Sequence, residues 1–544
     1  MRILGKPVVP GPVRFDDGRF HIDAEIEAVP AGFLVRGTIR GRGGRIEICR
    51  IPAPRRFLLN NWQSWGPMQA VSPDFRFPGL AERMAAYSRW VFTPIPDVFA
   101  STLVSDYFAA WENGLVGFLS SRIAHPYFAV EGADLVGYAE YFDVPFDQPV
   151  PLEPLIILQG RTPAALLEDY ADRTAAENAV VLRARNPIGW SSWYQYFTEL
   201  TAADLEKNLR LSAEGQFPFE VFQIDDGYER DIGDWLEVKD GFTPLPDLAS
   251  LIRKRGFTAG IWTAPFSASE SSELFRCHPD WFVRENGRPK SCYRNWKKTI
   301  YALDTTHPAA LDWLSETFMA LRRMGYAYFK IDFLFAAAMA GERHAAVTPI
   351  QAYRQGMAAI HRAAGDDFVL GCGAPLLPSL GLVEGMRVGE DTAPFWDSGL
   401  SGIAGPNAYI ALKNPILRSF THGRWWLNDP DCLLLREKDI RLTSNEKRLY
   451  ALACGALDNM LIESDDLSLV DERGRALLRE AARLSGGRVR VVDPMADDAY
   501  IISSRGGRAG DFRLAANLSD HPKTIEGIPV PARSAGFLPL PAAD

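Results

Sequence analysis

The chain has 544 residues, of which 47% are hydrophobic and 23% are charged. This length and ordinary globular composition predict about three domains with a large buried core. Fifty-nine basic and 68 acidic residues give a net charge of -9, without a basic stripe or a block of five like charges. Nucleic acid and anionic membranes are therefore not expected as partners. No apolar run reaches the ~18 residues that a membrane span needs.

The cysteine and histidine patterns argue against a metal site. None of the six cysteines forms a CxxC pair, and the eight histidines form no HxH or HExxH pattern. We expect neither a metal nor an organic cofactor. The opening segment MRILGKPVVPGPVRFDDGRF lacks the apolar stretch of a signal peptide. This favours a cytoplasmic location with reduced thiols.

Residues 1–160 are predicted to form an antiparallel β-sandwich. Alternating or continuous β-branched patterns occur in FHIDAEIEAV, GFLVRGTIRG and RIEICRI, which is typical of strands. Further short strands are expected at VFAST, LVGFLSS and YFAVEG, and no strong helix is indicated in this part. A helix should begin at Thr162 with proline in its first turn, which makes residues 161–185 a helical linker.

Residues 186–480 alternate short apolar runs with amphipathic stretches, which is typical of parallel strands with helical crossovers. Eight runs occur: IGWSSW, FEVFQIDD, FTAGIWTAPF, YAYFKIDF, DFVLGCGA, GMRVGED, RWWLND and DNMLIESDD. Eight strand–helix units of this length predict one central (β/α)₈ TIM barrel. In one of the helices, Thr201 and Asp204 have the spacing of a capping box. Residues 481–544 return to short strands and predict a small C-terminal β-sandwich domain.

Acidic residues follow the apolar runs repeatedly. They are Asp225 and Asp226, Asp332, Asp391, Asp429 and Asp431, and Asp465 and Asp466. The carboxyl ends of barrel strands form the active-site face, and a carboxylate next to a buried strand is costly unless it is paired or used. Any one of these residues could be a helix cap, but five acidic strand ends on one rim indicate a site.

Two opposed carboxyl groups are the usual catalytic pair of glycosidases. Lys330 lies two residues before Asp332, so strand alternation puts both side chains on one face. A cation there would favour an ionised Asp332, as a nucleophile requires. The alternative is an ordinary ion pair on the rim. The 14 Trp and 17 Tyr residues fit either core filling or sugar stacking.

The strand ends lie in motifs that resemble the α-galactosidases of glycoside hydrolase family 36. The resemblance runs in chain order through GWSSWYQYF, FQIDDGY, GDWLEV, AGIWTAPF, HPDW, YALDTTHP, YFKIDF, GCGAPLLP and MRVGEDTAPFW. More loosely it includes WWLNDPDCLL, and NNWQSWGP resembles the family's N-terminal domain. The chain resembles the shorter bacterial type. The resemblance implies an N-terminal β-sandwich, a central (β/α)₈ barrel and a C-terminal β-domain.

The resemblance also implies residue roles. The nucleophile is Asp332 in the K-x-D motif, and the acid/base is Asp391 in the R-x-x-x-D motif. Asp225 and Asp226 are implied to bind the C4 and C6 hydroxyls of galactose. Six further residues are implied to contact the sugar, as cations (Lys330, Arg387), as aromatic surfaces (Trp262, Trp65, Tyr196) or on the C2 side (Cys372).

Each of the binding residues also has a plainer interpretation. The Asp-Asp-Gly sequence can be a simple turn, the tryptophans can be core residues, and Cys372 can be a small buried apolar group. Glu390 is interpreted as a neighbour that faces away, because the R-x-x-x-D spacing selects Asp391. The acidic residues at 429, 431, 465 and 466 are interpreted as structural.

The expected function is a retaining, exo-acting α-galactosidase for terminal α-linked galactose in melibiose- and raffinose-type oligosaccharides. It would work by double displacement through a galactosyl-Asp332 intermediate, with the two carboxyl groups about 5–5.5 Å apart. Three alternatives stay open: a galactosyltransferase similar to raffinose synthase, an α-N-acetylgalactosaminidase and a non-catalytic sugar-binding protein. The sequence does not indicate an oligomeric state.

Overall fold

Two antiparallel sheets form the N-terminal part of the chain. The computed structural model describes residues 1–215, 217–397 and 405–541. One sheet has six strands, in the order Lys6–Pro7, Arg2–Ile3, Arg45–Pro52, Asp134–Glu140, His125–Glu131 and Val104–Asp106. The other has eight strands in the order Gly11–Asp16, Phe20–Val29, Gly32–Gly41, Leu155–Gln159, Gly114–Phe118, Phe108–Trp111, Phe57–Leu59 and Gln69–Val71, with Phe146–Pro151 as a ninth beside Gly32–Gly41. The predicted antiparallel sandwich is confirmed.

Three short helices interrupt this domain, at Leu80–Tyr87, Arg89–Phe92 and Pro96–Ser101. The prediction of a strand at VFAST was therefore wrong. Pro96 occupies the first helical position there, where its fixed φ favours a helix and its missing N–H costs nothing. The apolar run Val98–Phe99 belongs to one turn of that helix rather than to a strand.

A single helix, Pro163–Glu177, connects the sheets to the barrel. Thr162 caps it by accepting a hydrogen bond from the Ala165 N–H, and Pro163 follows directly. This agrees with the predicted start of the helix. Leu166, Leu167 and Tyr170 are buried, so the connector packs firmly and is not a free linker.

Eight parallel strands then form the barrel. Their bounds are Ile188–Ser191, Val221–Ile224, Thr258–Thr263, Tyr328–Ile331, Phe368–Gly371, Gly385–Arg387, Leu427–Asp429 with Cys432–Leu433, and Leu461–Glu463. The seventh strand is broken by two residues, and its first part pairs with the sixth strand and its second with the eighth. The eighth strand pairs with the first, so the sheet closes. All eight predicted runs supply a strand.

Helices cover the outside of the barrel, at Ala202–Glu214, Leu245–Lys254, Pro308–Met324, Pro349–Ala364, Ala408–Leu417, Ser444–Ala456 and Glu472–Leu484. The capping box of Thr201 and Asp204 is present. The fifth unit departs from the predicted pattern, because only a short 3-10 turn, Leu377–Ser379, follows its strand among the described residues. Instead, the loop after this strand pairs with the N-terminal domain: the Ser64 N–H donates to Ala374 O and the Leu376 N–H to Trp62 O.

An insertion follows the third barrel strand. It contains a three-stranded antiparallel sheet of Ser267–Ser269, Lys298–Ala302 and Ser291–Asn295, a two-stranded hairpin of Arg284–Glu285 and Arg288–Pro289, and the short helix Glu273–Cys277. The turn between Ser291–Asn295 and Lys298–Ala302 carries Trp296 at a positive φ of 51°. This turn reaches the carboxyl ends of the barrel strands.

The C-terminal part is a four-stranded antiparallel sheet of Arg488–Val491, Ala499–Gly507, Gly510–Asn517 and Ser534–Leu538. A hairpin of Lys523–Ile525 and Ile528–Val530 packs against it through a small apolar cluster. The helix Glu472–Leu484 continues past residue 480, where helices were expected to stop. Within the described ranges, no helix has the length and apolar character needed to cross a membrane.

Candidate active site

Asp332 directly follows the fourth barrel strand and is almost completely buried. Its backbone N–H donates to Thr263 O at 2.8 Å, which extends the pairing with the third strand. Its Oδ2 accepts a hydrogen bond from Trp262 Nε1 at 3.2 Å, and its Oδ1 accepts one from the Phe333 N–H at 2.7 Å. The carboxylate is therefore fixed in position by an indole and by backbone. Trp262 is itself buried and supports Asp332 directly.

Phe333, the next residue, has a left-handed backbone with φ of 52°. A bulky side chain rarely adopts this conformation, and such strain persists only where packing imposes it. The Phe333 ring lies 5.2 Å from the Trp65 ring and 5.1 Å from each of the Tyr293 and Trp296 rings. This aromatic cluster fixes the turn that presents Asp332.

Lys330 lies on the same strand face, but its ion-pair partner is Asp225. The Nζ atom is 2.8 Å from Asp225 Oδ2, and both side chains are buried. Instead of the rim ion pair with Asp332 that was considered from the sequence, Lys330 on the fourth strand forms a buried ion pair with Asp225 at the end of the second strand. Burial raises the pKa of Asp332, while the charge of Lys330 and a hydrogen bond from Cys372 lower it. Lys330 acts in the expected direction, but burial has the larger effect.

Asp225 and Asp226 end the second barrel strand and are both buried. Besides Lys330, Asp225 Oδ2 accepts hydrogen bonds from Gln223 Nε2 and from Ser191 Oγ. Asp226 has fewer partners, since its Oδ2 accepts one hydrogen bond from Trp296 Nε1 at 2.7 Å. Of the two residues, Asp226 has more hydrogen-bonding capacity left for a ligand.

Arg387 ends the sixth strand and joins two carboxylates. Its Nη2 pairs with Asp391 Oδ1, and its Nη1 lies 3.0 Å from Asp431 Oδ1. The Asp391 side chain is 37% exposed, whereas those of Arg387 and Asp431 are 2% exposed. Asp391 is thus the member of this group that solvent or a ligand can reach.

Glu390 differs from Asp391 in its surroundings. Burial, followed by the charge of Asp391, raises the pKa of Glu390 to about 8. A carboxyl group with this pKa is largely protonated at neutral pH. Glu390 is therefore a second candidate for the proton donor, which the interpretation as an outward-facing neighbour did not foresee.

Trp65 enters the site from the N-terminal domain. Its Nε1 donates to Cys372 Sγ at 3.3 Å. A Cβ atom at Gly373 would lie 2.9 Å from the Trp65 ring, and Gly373 has a positive φ of 55°. The indole therefore fills the space that glycine leaves open. Burial raises the pKa of the Cys372 thiol well above its usual value, so the sulfur stays protonated.

The buried residue Arg418 holds the loop that carries Trp65. Its five N–H groups all donate to neutral oxygens: two to Asn60 Oδ1 and one each to Ser64 O, Gly66 O and Val388 O. The first three acceptors belong to the Trp65 loop, and Val388 directly follows Arg387. Arg418 thus ties the loop to the sixth strand, beside the Arg387–Asp391 pair.

Tyr196 does not join this cluster. It forms a hydrogen bond between its hydroxyl and Asn208 Nδ2, and its ring lies near that of Trp190. Tyr194 contacts the site instead, because its hydroxyl donates to Asp431 Oδ2. Both tyrosines lie in the sequence WYQYF, and the turn after the first strand directs Tyr194 rather than Tyr196 towards the site.

Three further residues take part in the site, and two of them, Trp296 and Arg418, had no signal in the sequence. Trp296 lies 70 residues from Asp226, on a hairpin that no barrel pattern predicts. Arg418 lies inside a segment without a distinctive motif. Asp431, interpreted as structural, belongs to the Arg387 network, where it also accepts the Thr392 N–H at 2.7 Å.

The structural interpretation of the last acidic pair agrees with its contacts. Asp465 pairs with Arg436 and accepts the Leu435 N–H. Asp466 pairs with Lys207 and caps a short turn through the Ser468 N–H. Burial raises the pKa of Asp429 to about 6, and the charge of Arg387 acts in the opposite direction. Both oxygens of Asp465 and both oxygens of Asp466 have partners within the protein.

Asp332 and Asp391 are two carboxyl groups of different exposure at the carboxyl end of one barrel. The charge of Asp391 contributes to the raised pKa of Asp332, so the two groups are near enough to interact. Within the described ranges, no group of three or more His, Cys, Asp or Glu side chains is placed to hold a metal ion. A carboxyl pair in this setting, lined by tryptophans, defines the class of barrel glycosidases.

Comparisons with known proteins agree with this class. The family model for the α-galactosidase N-terminal domain matches residues 25–159, and the melibiase model matches residues 170–360. The α-galactosidase TtGalA of Thermus thermophilus, solved with p-nitrophenyl α-D-galactopyranoside, superposes with a TM-score of 0.73 at 28% identity, over 92% of this chain and 98% of that one. The family 36 α-galactosidase AgaA of Geobacillus stearothermophilus has a TM-score of 0.65 at 15% identity, over 98% of this chain and 81% of that one.

The chain belongs to the α-galactosidases of glycoside hydrolase family 36. Its match to curated relatives by sequence is shorter. AgaA is 29% identical over 156 residues, which is 27% of this chain and 20% of AgaA. The α-xylosidase XylQ of Lactiplantibacillus pentosus is 27% identical over 187 residues, which is 32% of this chain and 23% of XylQ. These matches span about a fifth of each curated relative.

Proposed function

We propose that this protein is a retaining, exo-acting α-galactosidase that hydrolyses terminal α-linked galactose from oligosaccharides of the melibiose and raffinose type. The observation that carries the proposal is the placement of Asp332 and Asp391 after the fourth and sixth strands, within electrostatic reach of one another. The family membership and the relative solved with an α-galactoside support the substrate class.

The proposed reaction is a double displacement. Asp332 Oδ attacks C1 of the galactoside while Asp391 donates a proton to the departing glycosidic oxygen. The C1–oxygen bond breaks and a covalent galactosyl-Asp332 ester forms. Asp391 then takes a proton from water, whose oxygen attacks C1 and releases Asp332. The product is α-galactose, and one water molecule is consumed.

The carboxylates of the second strand are proposed to recognise the sugar hydroxyls. Lys330 neutralises Asp225, and Trp296 orients Asp226. A buried polar site of this kind discriminates strongly, because an epimer leaves some of its groups without partners. Galactose, with its axial C4 hydroxyl, is expected to be preferred over glucose for this reason.

The position of Trp65 favours galactose over its 2-acetamido analogue. The resemblance assigns the Cys372 segment to the C2 side of the sugar, and the Trp65 ring covers Gly373 there. An acetamido group would compete with this indole for space. The α-N-acetylgalactosaminidase alternative is accordingly weaker than the α-galactosidase proposal. Because one relative is an α-xylosidase, p-nitrophenyl α-xyloside is a useful control substrate.

The proposal is tested by following melibiose hydrolysis with proton NMR. Early appearance of the α-anomer of galactose is the expected result, since two inversions retain configuration. Early appearance of the β-anomer would overturn the retaining mechanism. Transfer is measured in the same way with excess sucrose. A trisaccharide as the dominant product would favour the galactosyltransferase alternative over the hydrolase.

A further inference from the structure

A second large cleft lies at the end of the barrel opposite the proposed catalytic pair. Its volume is about 660 Å³, a size typical of small-molecule sites. One wall includes Asn186, Glu220 and Asn459, which come just before the first, second and eighth barrel strands. The other wall is the start of the C-terminal sheet, at residues 485–489. The amino ends of barrel strands face away from the catalytic loops, so this cleft is separate from the sugar site.

Two asparagines of the lining have buried polar atoms without partners. Asn459 is 1% exposed, and neither its Oδ1 nor its Nδ2 has a hydrogen-bond partner among the described residues. The Oδ1 of Asn186 is likewise buried and unpartnered, while its Nδ2 donates to Asp458 O. Such groups are costly to leave unsatisfied. A hydroxyl group both donates and accepts, so hydroxyls of a molecule in the cleft would satisfy both side chains.

Three arginines of the lining are also unpaired. Arg185 precedes the first barrel strand, Arg488 begins the C-terminal sheet, and Arg508 lies in the turn between the second and third strands of that sheet. Within the described ranges, none of their guanidinium groups forms an ion pair or a hydrogen bond. The chain as a whole has a net charge of -9, so three free cations at one cleft stand out. The planar guanidinium group matches the geometry of a phosphate.

The acidic residues of the lining do not cancel this positive charge. Asp172 pairs with Arg424 at 2.8 Å. Asp458 Oδ1 accepts a backbone N–H at 2.7 Å, and its Oδ2 lies 3.4 Å from His422 Nε2. Glu220 is the one lining carboxylate without a partner among the residues that the structure describes. Three unpaired cations therefore face one unpaired carboxylate.

We infer that this cleft is a second binding site, which takes a small hydroxylated anion of the sugar phosphate class. The arginines bind the phosphate, and the two asparagines bind hydroxyl groups. The site does not depend on the hydrolytic reaction and does not overlap the site proposed for galactosides. A ligand bound there contacts both the barrel and the C-terminal sheet, so it should stabilise the folded chain.

The experiment combines thermal melting with titration calorimetry of the full chain, and its probes are glucose 6-phosphate, glucose and inorganic phosphate. Glucose 6-phosphate at saturation should raise the melting temperature of wild type by about 2 °C or more. The double variant Arg488→Gln/Arg508→Gln should bind it at least about tenfold more weakly, because charge-assisted hydrogen bonds are lost. Both arginines are exposed, so the variant should fold. Arg2→Gln, which removes an exposed arginine of the N-terminal sheet, is the control and should follow wild type.

Asn459→Leu separates ligand binding from folding. Leucine is similar in size and has no polar atoms, so the ligand-free variant should melt at or above the wild-type temperature. Its affinity for glucose 6-phosphate should nevertheless fall about tenfold, since a hydroxyl loses its partner. A lower melting temperature with unchanged affinity would make Asn459 a structural residue and contradict the inference.

Other outcomes test the site and the ligand class. The absence of glucose 6-phosphate binding by wild type, or undiminished binding by the folded arginine double variant, would overturn the inference. Inorganic phosphate that binds as tightly as glucose 6-phosphate would exclude recognition of hydroxyl groups and so overturn the sugar phosphate class. Glucose 6-phosphate should also leave KM for p-nitrophenyl α-galactoside unchanged. A competitive rise in KM would place the probe in the active site and contradict a separate cleft.

Discussion

Glu390 and Asp391 are adjacent in sequence, yet they have different chemical properties. Asp391 is partly exposed and paired with Arg387. Glu390 has a pKa raised to about 8 by burial and by the charge of Asp391. A general acid must be protonated at the working pH and must also reach the leaving group. Glu390 meets the first condition, and Asp391 has the better access.

Removal of each carboxyl group separates the two candidates. Asp391→Gly should lower kcat/KM for melibiose by about 10²–10⁴-fold, because its leaving group needs a proton, and azide should restore turnover of an activated galactoside. The trapped product should be the α-galactosyl azide. Glu390→Gln should lose less than about tenfold. A large loss with azide rescue in the Glu390 variant, and none in the Asp391 variant, would transfer the acid/base role to Glu390.

At the scale of elements, the barrel strands were predictable and the elements around them were less so. Parallel strands buried on both faces are continuous apolar runs, and each of the eight runs became a strand. VFAST became a helix because Pro96 fixes a helical start. In the fifth unit a helix was expected after the strand, but the loop there pairs with the N-terminal domain instead. Such long-range contacts leave no periodic signal in a local window.

The site residues likewise divide into those that the sequence could predict and those that it could not. Residues at strand ends, such as Asp225, Asp332 and Arg387, lie close together as predicted, and their catalytic and binding roles remain proposals. Trp296 and Arg418 could not be predicted, because each acts through partners that are distant in sequence. The predicted cytoplasmic location also remains a prediction.

Arg418 offers a test of the contact between the N-terminal loop and the barrel. Arg418→Met removes five hydrogen bonds to neutral acceptors and frees the loop that carries Trp65. KM for an α-galactoside should rise about tenfold, similar to Trp65→Ala, with a lower melting temperature from unpaired buried carbonyls. Kinetics and thermal melting check both effects.

Arg418→Lys is the matched control, because it keeps the charge but can satisfy fewer acceptors. It should recover part of the stability and little of the KM. A folded Arg418→Met with wild-type KM would contradict the role of the residue in positioning Trp65.

For the whole molecule, several buried carboxyl groups control the pH dependence of stability. Burial raises the pKa of Glu390 to about 8 and that of Asp429 to about 6. Burial also raises the pKa of Glu463. The folded state therefore binds more protons than the unfolded chain between the ordinary carboxyl pKa values and these raised ones, so stability falls as pH rises through that window.

The melting temperature should accordingly be highest at mildly acidic pH and decline from about pH 5 to about pH 8. Carboxyl groups with lowered pKa values, such as Asp231, give the opposite slope only at lower pH. Scanning calorimetry across this range checks the prediction, and Glu390→Gln should flatten the decline at its alkaline end. A melting temperature that rises steadily up to pH 8 would contradict it.

The account as a whole depends on one reaction, in which Asp332 attacks an α-galactoside. The most direct measurement is p-nitrophenol release from the α-galactoside by wild type and Asp332→Ala, with the α-glucoside, α-N-acetylgalactosaminide and α-xyloside as controls. We expect release from the α-galactoside in clear preference to the others, and a loss of several orders of magnitude in the variant. No release from the α-galactoside by wild type, or equal release by a folded Asp332→Ala, would contradict the account.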